Sequence, residues 1–151
     1  MRTMLVMAAL LAAASFPCAA AEKGCYSQAD SEAEQAILFQ TNVMVISSAC
    51  QNTVYGEFRA HNKEAIIRYQ KVMIEHFRRS GARNAQSEFD RWNTSLANEI
   101  ALKQGTTPTG QVCQQAAEIL KLASTLDEKG LHDYAVAHVV DGASGHAKCA
   151  R

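Results

Sequence analysis

Residues 30–50, DSEAEQAILFQTNVMVISSAC, run for 21 positions without a glycine or a proline. Ala33, Ile37, Leu38, Met44, Val45 and Ala49 recur in it at spacings that share one side of an α-helix. Ser27, Asp30 and Ser31 are candidate N-caps, and Asp30, Glu32 and Glu34 place negative charge where the helix dipole favours it. A continuous helix over this stretch is roughly 30 Å long. It sets the scale of everything that follows it.

The same period continues downstream. Asn62 is placed to cap a second long helix with the stripe Ala65, Ile66, Tyr69, Val72, Met73, His76 and Phe77; Arg78 and Arg79 complement its end and Gly81 stops it. A third helix, about Ala85 to Gln104, carries Phe89, Trp92, Leu96 and Ile100 and ends at Gly105. After the turn TTPTG, residues 106–110, a fourth helix turns Val112, Cys113, Ala116, Leu120 and Ala123 inward and closes at Gly130. A short fifth helix, Leu131 to Val140, precedes a polar tail from about residue 141. Between the first two long helices, Val54, Tyr55 and Phe58 can form a short helix capping one end, although Gly56 weakens it. No window alternates with period 2 for long. The fold class expected is all-α, an antiparallel helical bundle of four to five helices.

Ahead of the bundle, Arg2, the apolar run Met4–Ala14 and Ala19-Ala20-Ala21 have the order of a secretory signal peptide over residues 1–21. The run is too short for a membrane span, which needs roughly 20 residues. Cleavage there leaves one domain of 130 residues, Glu22 to Arg151. Lipidation at Cys18 is the rival, and Phe16-Pro17 before that cysteine speaks against it. Arg2 is the only charge removed, which leaves 14 basic and 15 acidic residues. Such a balance argues against a chain that coats nucleic acid.

Losing Cys18 turns five cysteines into four, an even number in an exported chain, which reads as two disulfides. No C-x-x-C is present, so neither a zinc cluster nor a redox pair is expected. A disulfide needs Cα atoms within about 7 Å, so a continuous first helix keeps Cys25 from Cys50. If successive helices alternate in direction, Cys50 and Cys113 meet at one end of the bundle. Cys25 is then left for Cys149 on the tail.

The stretches CYSQADSEAEQAILFQTNVMVISSACQ (residues 25–51) and YQKVMIEHFRRSG (residues 69–81) resemble a family of small secreted α-proteobacterial proteins without an assigned function. The likeness rests on the spacing of Cys25 and Cys50 and on the Glu-rich helix start. It implies a periplasmic, helical, cysteine-stapled protein and supplies no catalytic residue.

Candidate chemistry is sparse. His132 and His138 are six apart and face different sides of a helix; His146 three residues before Cys149 is a tail residue rather than a metal half-site. His76 beside Glu75 reads as a core-edge histidine. Glu57 with Asp30 or Glu34 is an acid/base pair only if their carboxyls lie roughly 5–10 Å apart. Asn93-Thr94-Ser95 is a glycosylation triplet placed inside a helix. Arg78, Arg79 and Arg83 form a basic group suited to an acidic partner or to a solvated helix end. No G-x-S-x-G, H-E-x-x-H or phosphate loop is present, and no cofactor or metal is expected. Two functions are compatible with this. One is a non-enzymatic exported binding module that uses a helix face, the Tyr55–Phe58 cap or the arginine group against another exported or envelope protein. The other is a small envelope-acting hydrolase using Glu57 or His76.

Overall fold

The computed structural model describes residues 24–139 and 146–150. The expected signal peptide, its cleavage site, Cys18 and the first part of the polar tail lie outside these residues. The described chain is all-helical, with α1 Gln28–Ala49, α2 Val54–His61, α3 Lys63–Arg79, α4 Ala85–Gly105, α5 Thr109–Gln115, α6 Ala117–Thr125 and α7 Glu128–Ala137.

Helix α1 starts with a capping box. The Asp30 N–H donates to Ser27 Oγ at 3.1 Å, and the Ser27 N–H donates to Asp30 Oδ2 at 2.8 Å. The helix ends at Cys50, after which Gln51 adopts φ +51° and turns the chain into α2. Every other helix packs on α1. Its buried residues therefore fall in two adjacent rows, Ala36, Phe39, Val43 and Ile46 in one and Asp30, Ala33, Ile37 and Thr41 in the other, and together cover more of the helix than a single stripe. This corrects the single apolar face expected from the sequence: Leu38 and Ala49 are exposed, and Met44 and Val45 are half-buried. A central helix has neighbours on most sides, so its pattern loses the 3.6-residue contrast.

Two apolar clusters lie against α1. One joins Phe39, Val43, Phe58, Ile66 and Leu131; the other joins Tyr26, Ile37, Met73 and Phe89. Phe39 meets Phe58 edge-on at 5.5 Å and Tyr134 at 4.4 Å. On α3, Ala65, Ile66, Met73 and His76 are buried, whereas Tyr69, Val72 and Phe77 are half-buried. Gly81 stops α3 at φ +96°, a conformation only glycine adopts without strain.

Three boundaries differ from expectation, one being the end of the last helix, which stops at Ala137 with His138 as its C-cap instead of running to Val140. The fourth helix is divided at Ala116, which ends α5 and begins α6, while the Ala116 N–H still donates to Val112 O at 2.9 Å. Gly130 does not close that helix. It lies inside α7, where its N–H caps onto Asp127 Oδ1 at 2.7 Å. A Cβ built there would stand 2.7 Å from Leu126 Cδ2, so the glycine lets the α6–α7 turn pack tightly.

Asn62 also acts differently from a cap. Its side chain makes no N-cap hydrogen bond. Wholly buried, its Nδ2 donates to Phe58 O at 2.9 Å and to Leu126 O at 2.8 Å, tying α2 to the α6–α7 turn.

Both disulfides join the expected partners. Cys50–Cys113 links the end of α1 to α5 with Cα atoms 5.7 Å apart, and Cys25–Cys149 fixes the tail with Cα atoms 4.9 Å apart. The tail lies as a strap beside residues 25–27. The Tyr26 N–H donates to Ala147 O at 2.8 Å, and the Cys149 N–H donates to Tyr26 O at 3.0 Å. No helix among the described residues is long and apolar enough to cross a membrane.

Candidate functional site

The densest group of ionisable side chains lies where the strap meets the start of α1. Asp30 is buried there, and Arg79 Nη2 reaches both of its carboxylate oxygens at 2.7 Å. Burial pushes the Asp30 carboxyl up, but the hydrogen bonds of Arg79 and Ser27 outweigh it and hold the pKa below the usual range. His76 Nδ1 stands 3.4 Å from Asp30 Oδ2, an ion-pair distance without hydrogen-bond alignment. Burial pulls the His76 pKa down against the opposing pull of Asp30.

Tyr26 covers this pair. Its ring is tilted on His76 at 4.1 Å and stacks on His146 of the strap at 4.0 Å. His146 Nε2 in turn meets Glu34 Oε1 at 3.1 Å. Burial raises the Glu34 and Tyr26 pKa values, and for Glu34 the neighbouring His146 offsets part of the rise. The cluster is closed: Asp30 is consumed by Arg79 and its cap, and Tyr26 seals His76. It secures the N-terminal end of the bundle, and within it Glu34 keeps one buried carboxylate oxygen, Oε2, without a hydrogen-bond donor.

The other sequence candidates are dispersed. Phe58 is wholly buried in the core and offers nothing to a partner, whereas Tyr55 is half-buried, its hydroxyl accepting from Gln40 Nε2 at 3.4 Å. The expected Tyr55–Phe58 surface is thus reduced to Tyr55. Arg79 belongs to Asp30, Arg78 pairs with Glu75, and Arg83 is exposed beyond Gly81, so the three arginines do not converge on one ligand. Glu57 is exposed and accepts from Thr53 Oγ1 at 2.7 Å. It belongs with the far end of α1, where the Tyr55 N–H donates to Ser47 Oγ, roughly 25 Å from Asp30 along the helix. That span excludes the Glu57–Asp30 acid/base pair. Among the described residues, no three His, Cys, Asp or Glu side chains gather to hold a metal ion.

A cleft opens on another face of α1. Leu38, Phe39 and Asn42 form one wall, Ile100 and Gln104 of α4 the other, and Tyr134 of α7 closes one end around about 290 Å³. Past Asn42 and Gln104 it continues towards Ile46, Val112 and Ile119, with about 330 Å³ more. Among the described residues, Lys103 is the only charged one lining either part. The cleft exists because α4 docks unevenly. Its buried residues, Ala85 and Phe89, lie in its first turns, while Leu96 and Ile100 are only half-buried. Gln104 Oε1 is enclosed there without a hydrogen-bond donor. In the sequence Ile100 only continues the row Phe89, Trp92 and Leu96, and nothing in that row marks the cleft. The available signal was the polar and glycine-bounded end of α4, whose apolar residues thin out after Ile100. No family model, curated protein or solved structure matches the chain.

Proposed function

We propose that the protein is an exported, non-enzymatic protein-binding module that holds an apolar peptide segment of an exported or envelope protein in the cleft between α1, α4 and α7. Its two disulfides and the signal-like leader support export.

The observation that carries the reading is the uneven docking of α4, which leaves Leu38, Ile100 and Tyr134 lining an open cleft instead of a closed core. From Gln35 to Ile46 the cleft follows α1 for roughly 16 Å, about three helical turns. Such a length accommodates apolar anchors three or four residues apart on a partner helix. Amides line it at Gln35, Asn42 and Gln104, and Gln104 Oε1 offers an acceptor to a partner N–H.

Display of random 12-residue peptides against the folded, oxidised protein tests this. The expected clones carry apolar anchors at helical spacing with an acidic residue for Lys103. They should bind Ile100→Glu at least about tenfold more weakly, while Arg83→Glu leaves binding unchanged. Failure to enrich any clone, or equal binding to Ile100→Glu, overturns the proposal.

A further inference from the structure

On the side of α1 turned away from that cleft lies a second, more enclosed pocket of about 300 Å³, at the junction of α1, α2, α3 and α4. Small-ligand sites start at roughly this size. Its chemistry is one-sided. Arg59 from the last turn of α2 and Lys63 from the first turn of α3 stand at it, and among the described residues no carboxylate lines it. Neither cation makes an ion pair among the described residues. Lys63 also occupies the helix start, where the dipole disfavours a positive charge, and α3 has no side-chain cap.

The neutral groups are biased the same way. Thr41 is buried and donates to Asn93 Oδ1 at 3.4 Å, which occupies that acceptor and leaves the Asn93 amide N–H groups for another partner. The Tyr55 hydroxyl accepts from Gln40 and retains its own proton to donate. Met44 and Ile66 supply an apolar wall. A pocket with two unpaired cations, spare donors and an apolar side is complementary to a compact organic anion.

We infer that this pocket is a binding site for a small organic anion, its carboxylate or phosphate held by Arg59 and Lys63 and its apolar body lying against Met44 and Ile66. Arg59 presents a planar fork that suits either oxyanion, and Lys63 adds a point charge. Because Arg59 and Lys63 are exposed side chains, both can be changed without disturbing the core.

The test is titration of the folded protein, followed by amide NMR shifts, with benzoate, 3-methylbutanoate, phenyl phosphate and inorganic phosphate. The corresponding neutral amides of the two carboxylates serve as controls. The expected result is saturable binding of at least one organic anion, with shifts centred on Tyr55, Arg59, Lys63 and Gln70. Affinity should fall at least about tenfold for the neutral amide and for the double variant Arg59→Gln/Lys63→Gln. Thr41→Val, which keeps the rim cations, should weaken binding less. Saturation by the carboxylates alone or by phenyl phosphate alone identifies the oxyanion. No saturation by any organic anion below roughly 10 mM, equal binding to the double variant, or tighter binding of inorganic phosphate than of every organic anion overturns the inference.

Discussion

Removing the Asn62 side chain should loosen one junction of the bundle by a calculable amount. Asn62 is wholly enclosed, and its Nδ2 donates to two carbonyls from different elements. Phe58 O keeps a second donor, the Asn62 backbone N–H at 3.0 Å, whereas the side chain is the donor that reaches Leu126 O across the α6–α7 turn. In Asn62→Ala two hydrogen bonds are lost, each worth about 1 kcal/mol, and the Leu126 carbonyl is left buried and bare at a further cost of about 1–3 kcal/mol. Against this, the Asn62 Oδ1, buried without a donor, disappears and returns a similar desolvation cost. The net loss should be about 2 kcal/mol, or roughly 6–10 °C in Tm. Asn62→Asp keeps the shape but places an acceptor-only carboxylate before two carbonyls, so its loss should exceed about 3 kcal/mol at pH 7. Burial would raise the pKa of that new carboxyl. The folded state then binds its proton more readily than the unfolded chain, and the deficit should shrink as pH falls towards 4. Urea unfolding followed by circular dichroism at both pH values reads these quantities. An alanine loss below about 0.5 kcal/mol, the usual surface value, or an aspartate variant no worse than alanine at pH 7, would refute the account.

Met73 is wholly buried and Phe77 only half-buried, so Met73→Ala should cost about 2–5 kcal/mol and Phe77→Ala clearly less, by the same unfolding measurement. The His76 pKa is lowered from 6.5, so the unfolded chain binds more protons from near pH 6.5 down to the folded value, and stability is lost as pH falls through that window. His76→Gln should flatten the decline between pH 7 and 5; an unchanged slope would separate His76 from it. Glu34 has the opposite sign, because its raised pKa favours proton uptake by the folded state above 4.5, so Glu34→Gln should steepen the acid loss. For the disulfides, loop lengths of 124 and 63 residues favour the tail bridge by only about 0.6 kcal/mol. Without that bridge, however, the strap regains its own freedom in the folded state, whereas α1 and α5 regain none. Cys50→Ser should therefore lower Tm more than Cys149→Ser.

The fold was legible where one rigid length governed the outcome. A helix of about 30 Å separates Cys25 from Cys50, and that separation, together with alternating helix directions, leads to both observed pairings. Legibility failed where a helix is surrounded. The apolar positions of α1 answer to neighbours on most sides, so choosing one stripe exposed Phe39 and Val43 on paper, although both are buried. Asn62 was misread for a related reason. Its position before Lys63 is what an N-cap would occupy, but its use was decided by the Leu126 carbonyl, 64 residues away in sequence. Gly130 likewise resembled a stop, while its absent side chain serves the packing of Leu126.

Ion pairing redistributes the charges that sequence proximity groups together. Arg78, Arg79 and Arg83 are neighbours in the chain, yet the buried Asp30 selects Arg79, the only one of the three that pairs with it. An adjacent-residue patch therefore overstates the charge free to meet a ligand. The converse holds at Arg59 and Lys63, which lie four apart on different helices and drew no notice. Their spacing of four carries both to one opening across the α2–α3 junction at Asn62, whose side chain donates to the Leu126 carbonyl. The same buried amide anchors the junction between the two cations to the α6–α7 turn. Asn62→Ala should then weaken anion binding even though Asn62 is not among the residues lining it. Undiminished affinity in that variant would show that the pocket is positioned by α1 and α4 alone.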